Sequence, residues 1–135
     1  MEFKKTQKQL IGALGEELAS KYLKNKGFSV VTRNYRRKFG EIDIIAEKWG
    51  RIYFVEVKTV SCENVKDLTK DSLDAFRPED NVHAWKLRRL SNAIRVYLAE
   101  QRYGAEREWQ FDVVTVLLDE KNKVAKISRL KDIIL

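Results

Sequence analysis

Apolar residues along this 135-residue chain recur with two periods. Over residues 10–26 they return every three or four positions. Leu10, Ile11, Leu14, Leu18 and Tyr22 share one arc of a helical projection, and Gly12, Gly15 and Ala19 continue it. Gly27 supplies the stop. Residues 82–101 repeat the helical period, with Leu87, Leu90, Ala93, Ile94, Tyr97 and Leu98 on the apolar arc and Lys86 inside it. Elsewhere the apolar residues run almost continuously and are β-branched or aromatic. Residues 28–33, 40–46, 51–58, 108–118 and 124–128 therefore predict strands. Residues 34–40 read as a connection, and 130–135 as a last helical turn. Residues 59–81 carry few periodic apolar positions and several acids, which predicts a lid or a short helix around 65–76, with Asp80 or Asn81 capping the next helix. The element order is α-β-β-β-α-β-β, one α/β domain over residues 1–135 in which two helices cover a mixed sheet.

The second and third strands flank Glu47-Lys48-Trp49-Gly50, a hairpin connection. A turn centred on Trp49-Gly50 pairs residues whose numbers sum to 99, so Asp43 faces Glu56 and Glu41 faces Lys58. Both strands are apolar on both sides, as strands in the middle of a covered sheet are. In that setting Glu41 and Lys58 neutralise each other, but Asp43 and Glu56 do not. Directly opposed side chains have Cβ atoms about 5 Å apart, where like charges destabilise. A buried acidic pair needs a proton or a cation between its members. Two carboxylates beside a lysine suit a hard divalent cation, magnesium or manganese.

The helices add two groups. Glycines inside a helix cost about 1 kcal/mol each against alanine; Gly12 and Gly15 point to close approach of the first helix to the sheet. Glu16 stands at the rim of that small-residue arc and can look toward the sheet, while Glu17 points away. Lys86 either runs its head out to solvent or reaches an anionic site.

Charge and cysteine content narrow the setting. The chain has 27 basic and 20 acidic side chains, a net charge of +7, which favours a polyanionic partner. Arg33, Arg36, Arg37 and Lys38 surround Tyr35 and precede Phe39, and basic residues interleaved with aromatics suit phosphate and base contacts. One cysteine, Cys62, rules out an intramolecular disulfide and fits a reducing cytoplasm. The first residues lack the apolar core of a signal peptide, and no apolar run spans a bilayer, so no membrane partner is expected.

Asp43 followed by Glu56-Val57-Lys58 resembles the PD-(D/E)XK signature of restriction-endonuclease-like nucleases. More closely, the chain resembles the YraN-like family of bacterial proteins in that superfamily. The resemblance is carried by Gly12-Ala13-Leu14-Gly15-Glu16-Glu17, Arg33-Asn34 with Arg36, Gly40 to Ala46, Phe54 to Thr59, Lys86 with Leu90 and Ala93, and Phe111 to Val114. The segment between Lys58 and Lys86 is longer than in that family and lacks its usual glycine. The resemblance implies a restriction-endonuclease-like fold and a magnesium- or manganese-dependent endonuclease acting on DNA, with branched or structured DNA as the narrower expectation. It implies that Asp43, Glu56 and the backbone carbonyl of Val57 hold the metal, that Lys58 handles the attacking water, that Glu16 assists from the first helix, and that Lys86 sits near the scissile phosphate. Cutting both strands would call for a homodimer, which the sequence leaves open. The alternative reading is a nucleic-acid-binding module whose nuclease site is vestigial.

Overall fold

In a computed structural model of the chain, residues 5–61 and 84–135 are described. They form α1 (Gln7–Asn25), β1 (Ser29–Arg37), β2 (Gly40–Lys48), β3 (Arg51–Ser61), α2 (Ala84–Glu100), β4 (Trp109–Asp119) and β5 (Val124–Leu130), in the expected α-β-β-β-α-β-β order. The five strands make one mixed sheet in chain order. The pairs β1–β2, β2–β3 and β4–β5 are antiparallel, and β3–β4 is parallel across the α2 crossover. The lid and helix expected within 59–81 fall mainly outside the described residues; Thr59, Val60 and Ser61 belong to β3.

The helices lie on opposite faces. Beneath α2, Leu90, Ala93, Ile94 and Tyr97 pack on Tyr35, Ile42, Ile45, Phe54 and Phe111. Beneath α1, Ala19 and Leu23 pack on Phe28, Ile44, Val55, Val114 and Val116. The central stretches of β2, β3 and β4 are thereby covered on both faces, which explains their apolar runs. Thr6 caps α1: its Oγ1 accepts from the Gln9 N–H at 3.1 Å, and Gln9 Oε1 accepts from the Thr6 N–H at 2.9 Å.

Four expectations are corrected. The buried face of α1 is its small-residue side, Gly15, Ala19 and Ser20, together with Leu23; Leu10 and Leu14 are exposed. The reason is close packing: a Cβ on Gly15 would lie 1.8 Å from Thr59 Oγ1 on β3. The connection expected over 34–40 is mostly strand. Tyr35, Arg36 and Arg37 pair with Ile42, Glu41 and Gly40, leaving a two-residue turn at Lys38-Phe39. Burial of Tyr35 in the α2 core draws the strand onward. The chain end is not a helical turn. The Asp132 N–H donates to Asp112 Oδ1 at 2.9 Å and the Ile133 N–H donates to the Phe111 carbonyl at 2.7 Å, which straps the tail along β4. Finally, Glu41 pairs with Arg36 at 3.6 Å rather than with Lys58.

Candidate functional site

The hairpin has the expected register. Pairs run from Lys48↔Arg51 to Ile44↔Val55, each summing to 99, around Trp49 and Gly50, which both have positive φ. Beyond Ile44↔Val55 the ladder stops. The next pair would be Asp43 and Glu56. Here the Asp43 side chain takes over the role of a backbone acceptor: its Oδ2 accepts the Val57 N–H at 2.8 Å. β1 bends at the same level, because Asn34, with φ of 54°, sits between the pairs Arg33↔Ile44 and Tyr35↔Ile42.

Three layers converge at this opening. Glu56 is 6% exposed and carries an ion pair with Lys86 from α2. Lys86 thus reaches an anionic group inside the fold. From the other face, α1 brings Glu16, half-buried, into the field of Asp43 and into a hydrogen bond with the Asn34 side chain. Sequence reasoning assigned Asn34 no role. Its available signal was that asparagine tolerates the left-handed region better than other non-glycine residues.

The electrostatics follow from this crowding. Burial, then the adjacent Glu56 charge, push the Asp43 carboxyl up to about 7, against the opposing pull of the Val57 N–H; a hydrogen bond that protonated Asp43 donates to the Glu56 carboxylate adds to the rise and Lys86 offsets part of it. Burial and Asp43 also raise the Glu16 carboxyl, opposed by Asn34, Arg33 and Arg36. Burial pulls the Lys86 ammonium down, but Glu56, Asp43 and Glu41 outweigh it and the net shift is upward. One lysine therefore serves two opposed acids, and the pair holds one negative charge more than it can easily keep.

The remaining site residues are dispersed. Lys58 is half-buried on β3, and among the described residues no carboxylate lies within ion-pair distance of it. Arg33 pairs with Glu17 at 2.7 Å. Arg36 is exposed beside Glu41. Arg37 makes a two-pronged contact with Glu100, at 2.9 Å on each oxygen, and lies over the Tyr35 ring. Lys38 lies 5.3 Å from the ring centroid of Phe39, which is 60% exposed.

Among the described residues, no group of three or more His, Cys, Asp or Glu side chains is gathered as a metal-binding set. The acidic centre is a pair of carboxylates with a third nearby. Its donors are hard oxygens, and its surplus negative charge is the condition under which a divalent cation replaces a shared proton. The residues fit such an ion. No helix among the described residues is long and apolar enough to cross a membrane.

Comparison with known proteins agrees with the family part of the sequence resemblance. A UPF0102 protein of Alkaliphilus oremlandii is 43% identical over 114 residues, covering 82% of this chain and 87% of the relative. One from Caldicellulosiruptor saccharolyticus is 34% identical over 125 residues, covering 93% and 97%. One from Solibacter usitatus is 39% identical over 118 residues, covering 84% and 79%. Residues 15–116, which include Glu16, Asp43, Glu56, Lys58 and Lys86, match the family described as "Uncharacterised protein family UPF0102", and the chain belongs to that family, the YraN-like group.

Proposed function

We propose that this protein is a metal-dependent endonuclease that hydrolyses phosphodiester bonds in DNA, with branched or otherwise structured DNA as its substrate. The observation that carries the reading is the meeting of Asp43 and Glu56 where the β2–β3 ladder opens, with a shared negative charge that burial makes costly. Asp43 and Glu56 would hold magnesium or manganese. The carbonyl of Val57 would be a third donor, because the N–H and C=O of one strand residue project from the same edge and the Val57 N–H already meets Asp43. When bound, the cation polarises a phosphoryl oxygen.

The chain's own residues do the rest. Lys58, with no carboxylate partner among the described residues, orients the attacking water and stabilises charge growing on the phosphate. Lys86 holds Glu56 in place and presents positive charge near the scissile group. Glu16 acts from α1 as a positioning residue, pinned by Asn34.

The test is cleavage of linear, nicked, flapped and four-way DNA with magnesium or manganese, wild type against Asp43→Ala. Loss of a preorganised charge-stabilising group costs about 10²–10³ in rate, and a drop of that order is expected. Absent cleavage by the wild type, or equal cleavage by the variant, overturns the reading.

One observation favours a second reading, a nucleic-acid-binding module without catalysis. Lys86 already neutralises Glu56, so half of the acidic pair is satisfied without metal. That reading expects salt-sensitive DNA binding that survives Asp43→Ala and needs no divalent ion.

A further inference from the structure

Helix α1 has two interior glycines, and packing asks for only one of them. At Gly15 an added Cβ would collide with Thr59. At Gly12 it would meet no atom within 4 Å. The helix therefore bears the conformational cost of Gly12 without a packing return. Gly12 instead lies, together with Glu16, on the wall of two clefts. One, of about 330 Å³, opens toward β1 and is edged by Lys5, Asn34 and Arg36. The other, of about 460 Å³, opens toward the end of β3 and is edged by Lys8 and Thr59.

We propose that these clefts form one track for a single-stranded polynucleotide, which passes the bare backbone of Gly12 beside Glu16 on its way to Asp43. Each cleft falls within the size range of sites that enclose a small ligand, and so fits one nucleotide unit. A duplex, whose major groove alone is about 12 Å wide, does not enter. Lys5 and Arg36 mark one end of the track and Lys8 the other, the pattern of a basic groove following a sugar–phosphate chain. Glycine is the residue that lets a ligand approach the backbone closely. The inference rests on the nuclease reading for its direction of travel, and it narrows the substrate to an unpaired strand, as at a flap or a frayed end.

Binding in metal-free buffer tests the track apart from catalysis. The probes are fluorescent oligothymidylate and oligouridylate of about 12 nucleotides, within the usual span of single-strand sites, and a blunt DNA duplex of the same length. Gly12→Ala is expected to melt at or above the wild-type temperature, since it adds a better helix former into open space. Gly12→Leu is expected to weaken single-strand binding about tenfold by occupying one nucleotide position, with duplex binding unchanged. Lys8→Ala is expected to lower the salt slope of single-strand binding by about 0.7. Tight binding of either oligonucleotide by the wild type supports the track and tells which sugar it takes; binding of neither overturns it. Single-strand binding by Gly12→Leu equal to wild type overturns it, as does an equal loss on the duplex. If Gly12→Leu fails to fold, Gly12→Ala and Lys8→Ala decide. A track that fails here leaves DNA cleavage by the wild type untouched, and an inert nuclease leaves the binding result standing.

Discussion

The two ends of the β2–β3 hairpin obey different rules. At the turn end every residue serves the ladder. Trp49 and Gly50 both take positive φ, the mirror-image turn that matches strand twist, and pairing proceeds without a break from Lys48↔Arg51 to Ile44↔Val55. At the open end the ladder is abandoned one step later. A carboxylate replaces a backbone acceptor at Val57, a second carboxylate is buried beside it, and a lysine from another layer arrives to balance part of the charge. Five strand steps, from Lys48 to Asp43, separate a stretch shaped by folding from one that folding alone would not select. Residues that cost stability where a cheaper choice exists are the ones to suspect of chemistry.

The largest effect separating the two ends is in the pH dependence of stability. The folded-state carboxyl of Asp43 stands at about 7, above its ordinary value of 3.8. Between those values the folded chain binds a proton that the unfolded chain has released. Stability from this group is therefore full below about pH 4 and is lost as pH rises through 7, at no more than about 1.4 kcal/mol per pH unit. Glu56, Glu16, Lys86 and the Val57 N–H are the groups that face it. Asp43→Asn keeps an oxygen for Val57 and is expected to flatten this stretch of the profile in chemical denaturation series at pH 4 to 8. A parallel profile would show that Asp43 is not protonated in the native state.

A smaller effect is expected from metal at pH 8, where the shared proton has gone. Magnesium or manganese at a hundredfold excess over its dissociation constant is expected to stabilise the wild type by about 2.7 kcal/mol, read as a rise in melting temperature. Glu56→Gln should show none of it. Equal stabilisation of both proteins would place the ion elsewhere. The smallest effect belongs to the turn. Gly50→Ala, at φ of 79°, is expected to cost about 1 kcal/mol and to leave DNA cleavage unchanged. A change in cleavage would mean that the two ends are coupled along the hairpin.

Much of this was legible in the residues. The register of β2 against β3 follows from a turn dipeptide and alternation, and α2 buries the arc that its period names: Leu90, Ala93, Ile94 and Tyr97. The site's neighbourhood follows from the same register, since opposed acids in an apolar strand have few other uses. What escaped depended on partners distant in sequence. Leu10 and Leu14 outweigh glycine on any hydropathy scale, yet Thr59 admits the helix only on its glycine side. Arg36 and Arg37 suggest a loop by charge, but Tyr35 between Asn34 and Arg36 is pulled into the α2 core. Glu41 finds Arg36 across β1–β2 rather than Lys58 across β2–β3, because the β2–β3 ladder has already ended. The tail is held by the buried Asp112 carboxylate, which no local pattern announces.

A β-sheet is ordinarily a partition: what packs on one side does not feel what packs on the other. Glu16 arrives with α1 and Lys86 with α2, from opposite sides, and both act on Asp43 because the partition is breached where pairing ceases. The breach makes the centre depend on all three layers at once. Until both helices have docked, no fragment of the chain brings Glu16, Asp43 and Lys86 within reach of one another.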